Sequence, residues 1–400
     1  MNANPDRRYD ASVLRTARWS ISAIFLINGT ALGSWASNLP LIKERLGIDE
    51  AQLGFSLLTM ALGAVLAMLL VGPLNDRHGS RGLCLASGFL VAVLLPFPAI
   101  VPSYATLLMA SFALGIANGT MDVSMNAHGV AVEKTLARPI MSSLHAFFSI
   151  GGIVAALTAS GGLALGLGLF NNLFFAAVLL FVAMIFCGRG LLPSEADAVS
   201  TGVGGTKLAL PVGPLAPVGM MALIAFLAEG SMIDWAAVYL REGLATSSSV
   251  AALGFGVFAG AMALGRLTGD AIISRFGRLD VLRVSAVMAI AGFALALIPQ
   301  EVTLTLAGYA LIGLGVANVV PIMFSVGGSM PGVGSGTGIA AIATAGYGGA
   351  LIGPALIGFI AHATSLRMAL GLGAVLLVVI PLFSGRILHA QRRGVASVAP

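Results

Sequence analysis

Long apolar runs separated by short polar segments make up most of the chain. Each run is about twenty residues or more, the length that an α-helix needs to cross the hydrocarbon core of a bilayer. None shows the alternation of apolar and polar residues typical of a membrane β-barrel strand. The pattern predicts an all-α membrane protein with twelve transmembrane helices. The predicted spans are 17–40, 51–73, 82–101, 104–127, 141–164, 168–188, 215–240, 248–271, 281–299, 302–324, 336–361 and 365–386.

One long hydrophilic interruption divides the predicted spans six and six. It reads "GRGLLPSEADAVSTGVGGTKLALPVGP" and follows the sixth span. We therefore expect an N-terminal six-helix half over residues 1–190, a cytoplasmic linker over 191–214 and a C-terminal six-helix half over 215–400.

Composition and charge agree with this layout. The 400 residues are 58% hydrophobic and 9% charged, whereas soluble domains carry about a quarter charged residues. Of the 21 Lys and Arg residues, only Lys43, Arg45, Arg241 and Arg367 fall on the side of the predicted bundle opposite the two termini. The positive-inside rule therefore predicts that both termini are cytoplasmic. The scattered charges that give a net charge of +5 set topology and do not indicate a nucleic-acid partner.

Short sequence repeats support two related halves. "LGIAN" at 114–118 recurs as "LGVAN" at 314–318, late in the fourth and tenth spans. "DRHGSR" at 76–81 closes the second span, and "SRFGR" at 274–278 closes the eighth. Halves related in this way are found in secondary transporters, which bind substrate between the repeats.

The fourth span carries a polar face. Asn118, Asp122 and Asn126 follow one another at four-residue steps, so they lie on one side of a helix. An ionisable group inside a membrane span is costly, and it faces a water-filled cavity or a partner. Asp122 is thus the first candidate for proton coupling and substrate binding. The other interpretation is a hydrogen bond that only joins two helices.

The seventh span carries two more acids. Glu229 lies near the middle of the span, and Asp234 follows five residues later, about 140° around the helix. The two carboxylates therefore do not share a face. We favour Glu229 for cavity or coupling work, because Asp234 stands beside Trp235 and Tyr239, which is typical of an interfacial aromatic belt.

The loop after the second span resembles a known family. "GPLNDRHGSR" (72–81) is similar to the loop motif between the second and third helices of the major facilitator superfamily. The second copy departs from the motif, since Ser274 stands where an acid is expected, although "GRLTGD" (265–270) supplies a basic and an acidic residue nearby. The resemblance implies a gating loop formed by Gly72, Asp76, Arg77, Gly79, Arg81, Arg266 and Asp270.

A narrower resemblance concerns helices one, four and five. "GTMDVSMNAHGV", "RPIMSSLHAFFSIGG" and "GSWASNLPLIKERLG" are similar to segments of the fucose-permease-like sugar–proton symporters. The resemblance implies that Asp122, Asn126 and His145 line the cavity, and that His145 can relay protons, since His titrates near physiological pH. The chain departs from these symporters in having no acid between Trp19 and Lys43. The resemblance further implies a multi-pass protein of the bacterial inner membrane.

Further candidates for lining the cavity lie on the first, tenth and eleventh spans. Trp35 offers a flat apolar face to a sugar ring, or it is a belt residue at a helix end. The other candidates are Asn28, Asn38, Asn318, Tyr309 and Tyr347. No P-loop motif and no metal-ligand spacing occur, so we expect no cofactor, no bound metal, and energy supplied by an ion gradient.

These features predict a secondary active transporter rather than an enzyme. The first hypothesis is proton-coupled uptake of a small polar, sugar-like solute by alternating access, carried out by a monomer in the lipid bilayer. The second is proton-driven efflux of a drug-like or amphiphilic compound. A hypothesis of another class is a non-transporting membrane receptor that kept the fold.

Overall fold

The computed structural model describes residues 10–138, 140–194 and 210–385. Eleven segments of these residues are long and apolar enough to cross a membrane. The first helix is not among the eleven, but its 36 residues are also long enough to cross. The described residues have the predicted fold of twelve membrane spans in two sets of six, and the tenth span consists of two helices. The helices are α1 (Ala11–Leu46), α2 (Glu50–His78), α3 (Ser80–Leu94), α4 (Tyr104–Leu136), α5 (Met141–Ala164), α6 (Leu169–Cys187), α7 (Ala216–Val238), α8 (Ser248–Phe276), α9 (Arg278–Leu297), α10 (Val302–Val316), α11 (Val319–Gly328), α12 (Ser335–Ala363) and α13 (Leu366–Leu377).

Short connections make successive membrane helices antiparallel. We call the side on which α1 begins and α13 ends the terminal side, and the opposite side, where α1 gives way to α2, the far side. A π-helical turn over Tyr239–Gly243 extends α7 on the far side. The positive-inside rule predicts that the terminal side is cytoplasmic.

The first helix carries many polar side chains and packs against other helices of the protein. Its small polar and amide side chains are buried, among them Asn28 at 1% and Asn38 at 0% exposure. Buried polar groups on a membrane helix are tolerated where other helices, rather than lipid, surround them. α1 packs mainly against α5, and also against α4, α6, α7 and α8.

The predicted loop between the second and third spans is much shorter than expected. α2 continues to His78 and α3 begins at Ser80, so Gly79 alone separates them. Gly277 separates α8 from α9 in the same way. Low hydropathy marks where a span leaves the hydrocarbon, whereas a helix continues into water as long as its residues are good helix formers.

The tenth predicted span is broken in the structure. α10 ends at Val316, and α11 starts after Asn318, which has φ −102° and ψ −7°. Pro321 then occupies the first turn of α11, where its missing N–H removes no hydrogen bond. In the first copy of the repeat, α4 passes through Asn118 without interruption, because no proline follows it.

Helices of the two halves pack closely toward the far side. α5 packs against α8 and α2 against α12. A Cβ atom on Gly152 of α5 would stand 3.0 Å from the ring of Phe255 on α8, and one on Gly54 of α2 would stand 3.0 Å from the Pro354 carbonyl oxygen on α12. Glycine at these contacts lets the helices approach closely.

Polar contacts between the halves also lie on the far side. Among the described residues, every hydrogen bond or ion pair that joins helices α1–α6 to helices α7–α13 is found there. Lys43 Nζ lies 2.8 Å from Glu242 Oε2, and Ser37 Oγ donates to the Ala252 carbonyl at 3.2 Å. Arg241 Nε lies 2.6 Å from Glu44 Oε1. These contacts close the space between the halves on the far side.

Candidate functional site

Asp122 and Asn126 lie one turn apart on α4, half-buried, in the middle of the span. Asn126 Nδ2 donates to the Asp122 carbonyl oxygen at 2.8 Å and lies 3.4 Å from its carboxylate Oδ1. Within the described ranges the Asp122 carboxylate has no ion-pair partner. α4, which carries Asp122, packs against α2, and α2 also packs against α12 of the other half.

Tyr347 is 42% exposed although it lies in the middle of α12. Its ring packs at a tilted angle against Phe226 of α7, with the centroids 6.0 Å apart. We call Asp122, Asn126, Phe226 and Tyr347 the acid flank of the candidate site.

The second charged group of the site is an ion pair within the C-terminal half. Arg266 Nη2 on α8 donates to Glu229 Oε1 at 3.1 Å and to Oε2 at 3.3 Å. The side chain of Arg266 is 29% exposed, and that of Glu229 is 16% exposed. Glu229 lines a cavity, and its charge is balanced by a cation on the next helix.

The structure corrects the placement of two residues in the predicted gating loop. Arg266 lies inside α8, about three turns before that helix ends. Its ion pair with Glu229 holds the Arg266 side chain between the halves. Asp270 is one turn further along α8, still helical and exposed. In the first copy of the loop motif, Gly72 and Arg77 belong to α2, and Arg81 belongs to the first turn of α3. The backbone of Asp76 is in α2, but its side chain lies outside the described part of the chain.

His145 is exposed on α5, and its carbonyl accepts a hydrogen bond from Ser149 Oγ at 3.3 Å. The His145 ring meets Phe25 of α1 edge to face, with the centroids 5.3 Å apart. In the residues that the structure describes, no hydrogen bond joins His145 to Asp122, so the predicted relay has no direct link.

A narrow cavity surrounds the ion pair. Its walls are mostly apolar and come from α1, α5, α7 and α8, with Ser149 as a hydroxyl group among them. The lining residues are Leu32, Phe148, Ser149, Gly152, Glu229, Ile233, Phe255, Phe258, Ala259, Met262 and Arg266. We call Glu229, Arg266, His145 and Ser149 the basic flank of the cavity.

The predicted ligand groups on the first helix are shut away from this cavity. Trp35 and Asn38 are buried on the far side, at 1% and 0% exposure, because the two halves close there. Asn28 is also buried, and its Nδ2 lies 3.3 Å from Met125 Sδ. Three buried atoms of these residues have no hydrogen-bond partner among the described residues: Asn28 Oδ1, Trp35 Nε1 and Asn38 Oδ1.

The remaining amide candidates have different surroundings. Asn118 is half-buried on the same face of α4 as Asp122. Asn318 is buried, and its Nδ2 donates to the Gly265 carbonyl of α8 at 3.2 Å. Asn318 therefore holds α8 immediately beside Arg266 instead of pointing into the cavity. The hydroxyl of Tyr309 likewise bonds within the protein, since it donates to the Ala236 carbonyl at 3.0 Å.

Sequence reasoning missed Arg266, Ser149 and Phe226 as groups of the cavity. A signal for Arg266 was available, because an arginine inside an apolar run near a lone acid on the preceding helix predicts an ion pair. Nothing in the sequence marks Ser149 or Phe226. Their position depends on which face of α5 and α7 meets the other half.

A helical bundle with a polar site between two halves, closed on one side, defines a membrane transporter that works by alternating access. Residues 21–232 match the family model of the Major Facilitator Superfamily, and the chain belongs to this superfamily. It is 37% identical over 356 residues to an uncharacterized MFS-type transporter of Yersinia pestis, covering 89% of this chain and 92% of the relative.

Two further comparisons show the extent of the likeness. A D-xylose transporter of Levilactobacillus brevis is 26% identical over 174 residues, 42% of this chain and 37% of that protein. The crystal structure of the nucleoside transporter NupG superposes with a TM-score of 0.74 at 16% identity, covering 93% of this chain and 99% of NupG. The structural likeness supports the fold.

Proposed function

We propose that this transporter takes up a small polar, sugar-like solute together with protons, and that Asp122 is the coupling residue. The observation that carries the proposal is the Asp122 carboxylate, which lies in the middle of α4 and has no cationic partner in the described part of the chain. A carboxylate without a counter-ion inside a membrane protein is costly when ionised. Such a group can take up and release a proton as its surroundings change.

Glu229 is the weaker candidate for coupling because Arg266 already balances its charge. A buried carboxylate is costly when no counter-ion compensates its charge. In Asp122 the same chemical group has only the amide of Asn126 beside it. The contrast between the two acids supports Asp122.

Alternating access gives Asp122 a working cycle. We infer that the carboxyl is protonated while the cavity opens to the far side, which we propose is extracellular. Solute then binds, the far side closes, and the proton leaves toward the terminal side. The closed far side of this structure corresponds to the step after closure.

The sugar-like class of the solute is supported by the composition of the acid flank. Amide and carboxylate groups can bind hydroxyl groups, and the aromatic faces of Tyr347 and Phe226 can pack against a sugar ring. The similarity to a D-xylose transporter points to the same class. Membership of the fucose-permease-like branch remains a prediction.

The test is transport in proteoliposomes with an imposed pH gradient, after monosaccharides including D-xylose have been screened for thermal stabilisation of the purified protein. Wild type should accumulate the stabilising sugar against its gradient. Asp122→Asn mimics the protonated carboxyl, so it should abolish accumulation while substrate exchange persists and becomes insensitive to pH. Glu229→Gln is the matched control.

Two outcomes would contradict the proposal. If Asp122→Asn still accumulates sugar and Glu229→Gln does not, the coupling residue lies in the other half. If wild type expels the solute when protons flow inward, the protein is an exporter.

A further inference from the structure

Arg266 has hydrogen-bonding capacity that the protein does not use. A guanidinium group carries five N–H donors in a plane. Only Nη2 has an acceptor, the Glu229 carboxylate. Across the described residues, Nε and Nη1 of Arg266 have none, and the side chain is 29% exposed.

The surroundings of these donors favour an anionic group. Arginine stays charged in proteins and matches the geometry of carboxylates and phosphates. Apolar side chains of Phe148, Phe255 and Phe258 wall the cavity beside it, which strengthens electrostatic attraction by excluding water. Ser149 adds a hydroxyl group to the same lining.

We propose that Arg266 is the binding site for an acidic group on the transported solute, which makes the solute a hydroxylated carboxylic acid rather than a neutral sugar. This proposal rests on the proposed function and names the class of its substrate. The solute carboxylate would accept hydrogen bonds from Nε or Nη1 of Arg266 in the basic flank. Its hydroxyl groups would donate to Asp122 and Asn126 in the acid flank.

The arrangement of the two flanks gives the solute one orientation. Asp122 is on α4 and Arg266 is on α8. α4 packs against α2, which also packs against α12, whereas α8 packs against α5. A carboxylate placed at Arg266 is thus bound by a different helix from the one that carries the Asp122 charge.

Glu229 acts as an internal competitor in this proposal. It holds Arg266 in place when no solute is present and shares the guanidinium when a carboxylate arrives. Because both anions draw on one cation, removing the Glu229 charge should leave Arg266 freer to bind the solute. Glu229→Gln should therefore tighten the binding of acids, whereas a residue needed only for folding would not show this gain.

The experiment compares probes that differ in the acidic group. D-Gluconate and D-glucuronate are titrated against D-glucitol and D-glucose on purified full-length protein, with binding measured by calorimetry. Wild type should prefer the acids. Arg266→Gln should weaken the acids roughly tenfold or more and leave the neutral probes unchanged, and Arg266→Lys should fall between.

Two controls separate binding from folding. Arg275→Gln removes a cation from the last turn of the same helix, where Arg275 lies over the Phe276 ring, and should bind like wild type. The double variant Glu229→Gln with Arg266→Gln removes both charges of the pair, so it leaves no unpaired buried charge. It should be as stable as wild type but lose the preference for acids.

The proposal is overturned if neither acid binds to wild type, or if Arg266→Gln weakens acids and neutral sugars alike. These results are distinguishable from a failure of the proposed function. If Arg266→Gln still accumulates a neutral sugar with protons, proton-coupled transport stands and the acidic substrate class is wrong.

Discussion

At the scale of single residues, the same side chain has different uses according to its neighbours. Asp122 and Glu229 are both acids in the middle of apolar helices. Glu229 has Arg266 at 3.1 Å, and Asp122 has only an amide at 3.4 Å. Because a counter-ion compensates the charge of a buried carboxylate, this single difference separates the two candidates for coupling.

The fluorescence of the three tryptophans can test whether the far side is closed. Trp35 and Trp235 are 1% and 0% exposed, whereas Trp19 is 59% exposed. Trp19 also borders a pocket lined by Arg15, Arg18 and Arg138, which attracts anions. We expect iodide to quench Trp19 selectively, and Trp19→Phe to remove most of the quenchable fluorescence.

The control for this measurement is Trp235→Phe, which should lower the total emission and leave the quenched part unchanged. Should iodide quench strongly in the Trp19→Phe variant, it is reaching Trp35 or Trp235, and the far side is open in solution.

At the scale of elements, the two copies of the loop motif share a backbone that requires glycine. Gly79 has φ 75° and ψ 156°, and Gly277 has φ 81° and ψ 157°. Residues with side chains are rarely found there, at a cost of about 1–3 kcal/mol. The repeat seen in the sequence is thus a repeat of helix-to-helix geometry.

Alanine at the two glycines should have unequal effects. A Cβ at Gly79 would stand 2.6 Å from Ser194 Cβ and 2.7 Å from the Ser194 carbonyl oxygen, whereas one at Gly277 meets nothing within 4 Å. The chain after α6 is also fixed nearby, because the Leu192 N–H donates to His128 Nε2 at 3.1 Å. Gly79→Ala should therefore lower the thermal stability in detergent more than Gly277→Ala.

The measurement is a paired melting curve of the two variants and wild type, with transport measured alongside. Equal losses of stability would mean that the backbone angle alone matters and that the Ser194 contact is unimportant.

At the scale of the whole molecule, ion pairs between charged side chains join the two halves on the far side. Lys43 bridges Glu242 and Glu50, with its side chain 11% exposed. Arg241 pairs with Glu44, and His362 Nδ1 lies 3.6 Å from Asp49 Oδ2. Single exposed ion pairs contribute little, but a network that is partly buried contributes more.

Removing Lys43 should favour opening of the far side. Lys43→Met leaves Glu242 and Glu50 as like charges without their cation, which should destabilise the closed state by roughly 1–2 kcal/mol. A cysteine at Ser37, in a background where Cys84 and Cys187 are replaced, should then react faster with a water-soluble thiol reagent.

Arg45→Gln is the matched control, because Arg45 Nη1 donates to the Val101 carbonyl within the same half at 2.9 Å. If Arg45→Gln and Lys43→Met expose Ser37 equally, the effect comes from losing a positive charge on this side and not from the contact between the halves.

Much of the fold could be predicted from the chain alone. The fifth span was predicted over 141–164 and the helix is Met141–Ala164, because apolar content and helix length coincide there. The break at Asn318 and the single-residue turn at Gly79 were missed. Hydropathy measures partition into lipid and is insensitive to both features.

What the sequence by itself determined was the set of membrane helices, their division into two sets, and the polar face that carries Asp122. These follow from local rules, since the bilayer demands long apolar helices and a four-residue spacing places side chains on one face. Only the tertiary structure decided that Glu229 is paired with Arg266, that Trp35 and Asn38 are closed off, and that no cation among the described residues pairs with Asp122. Each of these depends on which faces of distant helices meet, and helices in a bilayer are joined by side-chain packing and hydrogen bonds that no local pattern specifies.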